Sequence, residues 1–257
     1  MWLNRRRHSA PDGETSAVAD RLSVLFADDS PGDRQQYGDL IRADPRLELT
    51  IVDHPDEVQR AVEVGPVAVA VLDYDFSYWG AVSMTGLDLA QSLRQRSKKL
   101  GLILLTRYPS THLIHEFMEA ASGAGRGFLS KGEDDKNNLC AHIHHVAMGG
   151  VVVSAAWRER YENFQKFIKF KSPRLHVLKL LKQGYEYRSI VKLLKDQGIV
   201  DIEPGQRTVT EWVSEMADKL EILEKDEYDN GKDRTRVLID LYDEAEVDPY
   251  YLVKKGR

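Results

Sequence analysis

Cysteine is almost missing: Cys140 stands alone among 257 residues. No intramolecular disulfide can brace the fold, and a reducing cytoplasm is the compartment that suits this usage. No apolar run approaches the roughly 20 residues that span a bilayer, and the opening Met1-Trp2-Leu3-Asn4-Arg5-Arg6-Arg7 lacks the apolar region of a signal peptide. A membrane partner is therefore not expected, and residues 1–20 are expected to form a flexible N-terminal arm. Internal repeats and low-complexity tracts are missing as well. What is there, 42% hydrophobic and 30% charged residues, suits an ordinary globular protein. Its length fits two modest domains better than one, because single cores stop growing near about 250 residues.

Residues 21–150 alternate short apolar runs with amphipathic stretches, the pattern of a parallel sheet with helices on both faces. Strands are expected near 22–27, 47–52, 67–73, 100–106 and 126–130. Helices are expected over 31–41, 55–64, 85–96, 111–121 and 133–148. The fold class is thus α/β, a doubly wound five-stranded parallel sheet. Polar residues punctuate the strand ends. Asp28 and Asp29 follow the run from Leu22 to Ala27, Asp73 follows Val67 to Leu72, Thr106 follows Leu102 to Leu105, and Lys131 follows Gly127 to Ser130. Parallel strands gather such ends at one edge of the sheet, where open α/β proteins place their sites. Three carboxylates from two strands make a cage for a hard divalent cation beside a potential nucleophile.

The segment Leu25-Phe26-Ala27-Asp28-Asp29-Ser30-Pro31, together with Asp73, Thr85-Gly86-Leu87-Asp88-Leu89, Thr106 and Phe128-Leu129-Ser130-Lys131, resembles the flavodoxin-like receiver domain of two-component response regulators. The separation of Asp29 from Asp73 also suits such a domain. The resemblance implies that Asp73 accepts a phosphoryl group from a histidine kinase. It implies that Asp28, Asp29 and Asp73 hold Mg²⁺ together with the main-chain carbonyl of Asp75, and that Thr106 and Lys131 contact the phosphoryl oxygens. Thr106 and Phe128 would form the switch pair. Three features depart from the pattern, the least of them Gly132 after Lys131, where a proline is common. The stretch from Tyr74 to Met84 is longer than the usual turn, enough for a lid of Phe76, Tyr78 and Trp79, and Arg107 stands where a small residue is usual. Arg107 either narrows access or adds a second cation. The run Val71-Leu72-Asp73-Tyr74-Asp75 also resembles the Asp-x-Asp motif of haloacid-dehalogenase-type phosphatases. Those enzymes carry that motif on the leading strand and a second acidic pair on a strand beyond the lysine, whereas here the pair lies upstream and Glu133-Asp134-Asp135 opens a helix. The expectation is a regulator rather than an enzyme.

Charge divides the remainder. Residues 157–199 carry 11 Lys/Arg against 4 Asp/Glu, and residues 200–257 carry 9 against 16. A basic block is a footprint for a polyanion, and an acidic end repels one. Residues 151–171 are expected to be a helical linker whose Trp157, Tyr161, Phe164 and Phe167 either pack on a neighbour within the chain or form a dimer seam. Ser172-Pro173-Arg174 then opens a helix with Ser172 as cap, running to a stop at Gly184. Further helices are expected over 187–197, from Thr208, and over 234–243, with 246–257 as a tail. The histidines 142, 144 and 145 are expected on a packed or solvated face rather than at a metal.

Residues 172–245 resemble the LuxR-type helix-turn-helix of the NarL/FixJ response regulators. Ser172-Pro173-Arg174, Val177-Leu178-Lys179-Leu180-Leu181, Gln183-Gly184, Ile190, Thr208-Val209, Val213, Lys219-Leu220, Arg234 and Val237 carry the likeness. It implies an all-α output domain that binds double-stranded DNA, with a homodimer as the assembly. The recognition helix, 207–221, would bring Arg207, Thr208, Thr210 and Glu211 to the bases, with Arg174 and Lys192 on the backbone. Between Gln206 and Lys225, however, three basic residues face five acidic ones. A helical output that grips a protein partner instead of DNA is the second expectation.

Overall fold

The computed structural model describes residues 21–77, 84–222 and 234–250. The expected N-terminal arm, the lid residues Tyr78 and Trp79, and the tail beyond Tyr250 lie outside these. The strands are β1 (Leu22–Ala27), β2 (Leu47–Val52), β3 (Val69–Asp73), β4 (Gly101–Thr106), β5 (Arg126–Ser130) and β6 (Val151–Val153). All pair in parallel, in the order β2-β1-β3-β4-β5-β6. The five expected strands are present. The sixth, read from the sequence as the head of the linker, extends the sheet beside β5 through pairs such as Gly127 with Val152. Three valines are too short a run to announce a strand alone, and an existing edge supplies the partner that they lack.

Helices α1 (Pro31–Arg42), α2 (Pro55–Val64), α3 (Gly86–Arg96) and α4 (Thr111–Ala120) alternate with the first strands. Their starts are chemically specified. Ser30 accepts a hydrogen bond from Asp33 N ahead of Pro31, and Ser110 accepts one from Leu113 N at 3.2 Å. Thr85 and Asp88 form a reciprocal capping box. The helix expected over 133–148 is two, α5 (Glu133–Asn137) and α6 (Leu139–Ala147). Asn138 breaks it, its side-chain amide donating to the Asp134 carbonyl at 2.8 Å.

After β6 the chain is helical: α7 (Ala155–Phe167), α8 (Ser172–Lys182), α9 (Tyr187–Asp196), α10 (Gln206–Lys219) and α11 (Arg234–Glu244). Ser172 is not the cap of α8. Lys171 holds that position, and the serine hydroxyl lies 3.3 Å from His176 Nδ1 inside the first turn. Gly184 does end the segment, with φ at +85°, a left-handed conformation that glycine adopts without penalty.

The apolar face of α7 is spent within the chain, not on a dimer seam. Tyr161, Phe164 and Phe167 are buried. Phe164 meets the rings of His112 and His115 on α4 at 5.0 and 5.4 Å, while Phe167 meets Tyr242 of α11 edge-on at 5.6 Å. One apolar cluster therefore runs from the α4 side of the sheet through α7 into the helical domain, and a second fills the opposite face beneath α1 and α6. Fully burying an aromatic of this kind contributes about 2–3 kcal/mol, so α7 binds both parts firmly.

Candidate functional site

The order of the strands reverses between β1 and β3, and a crevice opens there beyond their carboxyl ends, the position where open α/β sheets bind ligands. Asp28 and Asp29 leave β1, Asp73 ends β3, Thr106 ends β4, and Lys131 follows β5. All five converge, and Asp28, Asp29, Asp73 and Thr106 are buried polar residues. Asp29, Asp73, Thr106 and Lys131 line one pocket of about 250 Å³ with Ser30, Asp33, Asp75, Ser77, Arg107 and Tyr108.

Lys131 is the hub. Its ammonium lies 2.8 Å from Asp28 Oδ2, 2.7 Å from Asp33 Oδ2 and 2.7 Å from Asp73 Oδ1, with the side chain only 4% exposed. The backbone fixes it there, since Lys131 N donates to the Thr106 carbonyl at 2.7 Å and ties β5 to β4 just past the ladder. Burial alone disfavours the ammonium, yet Asp73 and Asp28 hold its pKa above the usual lysine value. The opposite balance governs the acids. Burial pushes Asp73 up to about 7, and Asp28 is raised by burial too, with Lys131 opposing in both cases.

Asp33 was not singled out by the sequence. It sits in the first turn of α1, where an acid ordinarily does no more than face the helix dipole. Here one oxygen accepts from Lys131 and the other from Arg107 at 2.5 Å. Burial works to raise its pKa, but the Arg107 and Lys131 hydrogen bonds hold it below the usual carboxylate range. The nearest available signal was its place four residues after Asp29, which puts it on the helix face turned to the same edge.

The remaining residues fall as follows. Asp28, Asp29 and Asp73 each offer an oxygen within 4.8 Å of the others, a hard-donor set that suits a divalent cation. Asp75 N donates to Asp73 Oδ2 at 3.2 Å, and the Asp75 carboxylate turns to Ser77 N at 3.0 Å. The Thr106 hydroxyl accepts from Tyr108 N at 3.1 Å. Phe128 is fully buried, its ring 6.2 Å from Phe117 of α4. Phe76 is buried in the core and no part of a surface lid. Gly86 explains why Thr85-Gly86 must contain glycine: a Cβ there would lie 2.0 Å from the Asp73 carbonyl oxygen. Of the histidines of α6, His144 meets Asp44 at 3.0 Å and His142 meets Asp135 at 4.0 Å. Glu133-Asp134-Asp135 opens α5, and Asp135 accepts from Ser130.

In the helical domain, α9 and α10 are joined by residues 197–205. Arg207, Thr210, Glu211 and Lys192 are exposed, and Thr208 is half-buried. Arg207 is 92% exposed but pairs with Glu211 one turn on at 2.8 Å, and Arg174 pairs with Glu215 at 2.6 Å. The Thr210 hydroxyl donates to the Gln206 carbonyl. Among the described residues no helix is long and apolar enough to cross a membrane.

No protein-family model matches the sequence, and no curated protein matches it. Solved structures do. The RcsB response regulator of Salmonella typhimurium aligns over 80% of this chain and 94% of its own, with a TM-score of 0.52 at 14% identity. A second RcsB crystal form aligns over the same shares with a TM-score of 0.51 at 15% identity. A LuxR-family two-component response regulator from Aurantimonas sp. SI85-9A1 aligns over 55% of this chain and 96% of its own, with a TM-score of 0.49 at 18% identity. The chain therefore has the two-part fold of the RcsB response regulator, a parallel α/β receiver sheet followed by a helical domain, with an acidic pocket built around one buried lysine.

Proposed function

We propose that the chain is a phosphorylation-controlled response regulator, accepting a phosphoryl group from a histidine kinase on Asp73 and acting on transcription through its helical domain. One observation carries this: Lys131 bridges Asp73 and Asp28 at the point where β1, β3, β4 and β5 converge. An Asp73 oxygen forms the new bond to phosphorus as the phosphorus–nitrogen bond of the donor histidine breaks, its electron pair leaving with the imidazole. Lys131 and the Thr106 hydroxyl stand where charge develops on the phosphoryl oxygens, and prepositioned donors of this kind are how such transfers are accelerated. Asp28, Asp29, Asp73 and the Asp75 carbonyl would hold Mg²⁺, which when bound offsets charge on the phosphoryl oxygens. Thr106, released from Tyr108 N, turns to the new oxygens, and Phe128 moves into the space behind it. In the full chain with Mg²⁺ and acetyl phosphate, mass spectrometry should find one added phosphoryl group, lost in Asp73→Asn. Unchanged labelling of that variant would reject Asp73 as the acceptor.

For the output we propose binding of double-stranded DNA by a homodimer, with α10 as the recognition helix and Lys192 and Arg174 on phosphates. A second reading, a protein partner, is favoured by the internal neutralisation of Arg174 and Arg207. Duplex affinity draws heavily on phosphate neutralisation, so each cation spent on a glutamate is one fewer for the backbone. A salt titration decides between them. The DNA reading expects binding that weakens steeply with salt and is weakened by Lys192→Ala, while no binding to promoter-sized duplex even at low salt would favour the partner.

A further inference from the structure

Arg107 and Asp33 are the parts of the pocket that the receiver reading leaves without work. Arg107 leaves the end of β4 directly after Thr106, and its guanidinium reaches Asp33 Oδ1 across the pocket, 74 residues away in sequence. Asp33 Oδ2 is on Lys131, whose ammonium also touches Asp73 Oδ1. Two cations thus flank one carboxylate, and both line the same cavity as the Asp73 side chain. Their mobilities differ. The Lys131 side chain is 4% exposed and that of Asp33 is 7% exposed, whereas that of Arg107 is 59% exposed at the mouth. A buried acid that holds one end of an otherwise free arginine fixes where its remaining N–H groups point.

We infer that Arg107 is a second phosphoryl-binding cation and that Asp33 is its positioning residue, holding the guanidinium over the mouth of the pocket beside Asp73. This rests on the proposed phosphorylation of Asp73. The contact to Asp33 occupies one terminal nitrogen, and a guanidinium carries five N–H donors in a planar fork suited to phosphate oxygens. Arg107 can therefore keep Asp33 while donating to the acyl phosphate, which leaves no buried carboxylate stranded. An exchange in which Arg107 abandoned Asp33 would cost more, since Lys131 would then be shared between a buried acid and a dianion. In its place over the mouth the guanidinium also displaces water that would otherwise reach phosphorus, so the acyl phosphate is held longer.

The test uses the full chain with Mg²⁺ and beryllofluoride, a stable stand-in for the phosphoryl group, observed by fluorine NMR. Acetyl-phosphate labelling and the half-life of the acyl phosphate are followed alongside. Arg107→Ala should weaken beryllofluoride binding roughly tenfold, as expected for one charge-assisted contact, and shorten the acyl-phosphate half-life. Arg107→Lys should recover part of the affinity. Asp33→Asn should move both quantities in the same direction, and Arg107→Ala should cost clearly less in the Asp33→Asn background than in the wild type, because the guanidinium is already unanchored there. Loss that Asp33→Asn adds to Arg107→Ala reports its other contact, to Lys131. Equal or tighter beryllofluoride binding in Arg107→Ala, with faster labelling, would show a steric plug and overturn the inference while leaving Asp73 as acceptor. Additive losses in the double variant would overturn the positioning role of Asp33. A wild-type protein that binds no beryllofluoride and takes no phosphoryl group would overturn the inference and the proposed function together.

Discussion

Lys131 shows at the scale of one side chain how this pocket is balanced. Asp28, Asp33 and Asp73 would repel one another if left alone in a buried site, and one ammonium, within 2.8 Å of an oxygen of each, holds them together. Gly86 makes a different point, about space. Its missing Cβ lets α3 press against the Asp73 carbonyl, so Gly86→Ala forces backbone to move at Asp73 itself. Overpacking of this kind costs about 1–3 kcal/mol. A lower urea midpoint with an unchanged slope is expected for this variant, and an unshifted midpoint would mean that α3 has slack there. Asp28, Asp29, Asp73, Thr106 and Lys131 were legible in the sequence because each ends an apolar run. Asp33 was not, because an acid in a first helical turn has a sufficient local explanation and its reach to Lys131 exists only once β5 lies beside β4. Arg107 was visible as an oddity, but its partner, on another element, was not.

Elements were legible where local chemistry agreed with the pattern. The strands β1, β2 and β5 and the helix α2 fall on their expected residues, because apolar period, flanking turn residues and prolines all agree. Misses came where a polar side chain competes with the backbone or where tertiary pairing decides. Asn138 splits the helix after Lys131 by bonding one turn back, and Ser172 turns to His176 instead of capping α8. The three valines of β6 become a strand only against β5. For α7 the period gave the apolar face but not its owner, since packing within a chain and between chains writes the same stripe. On α10 the glutamates looked unhelpful to DNA binding in sequence, and the structure adds that two of them hold arginines of the candidate interface.

Across the molecule, His112 of α4 clamps the segment after α11 to the sheet domain. Its Nε2 accepts from Asp248 N at 3.1 Å, and its ring stands on Phe164. Burial holds its pKa below the ordinary histidine value, with the Glu246 backbone and the carboxylates of Asp248, Glu116 and Glu246 opposing. Because the folded value is depressed, this contact contributes full stability above the unfolded value of about 6.5 and loses it as pH falls through the folded one. A protonated Nε2 can no longer accept. Hydrogen exchange of residues 245–250 should therefore quicken between pH 7.5 and 5.5 in the wild type beyond the intrinsic change, but not in His112→Gln. The same loss of protection in that variant would place the titrating group elsewhere.

The position of α7, wedged between α4 and α11, leaves no slack tether between the two ends of the molecule. Under the proposed reading, a shift of α4 at the edge of the pocket meets the rings of Phe164 and Phe167 and then Tyr242, and α11 lies directly against α10. Such a chain behaves as a push-rod rather than as beads on a string. News of the acyl phosphate would travel as displacement of packed helices, and softening any single joint along that line should blunt the message without touching either end.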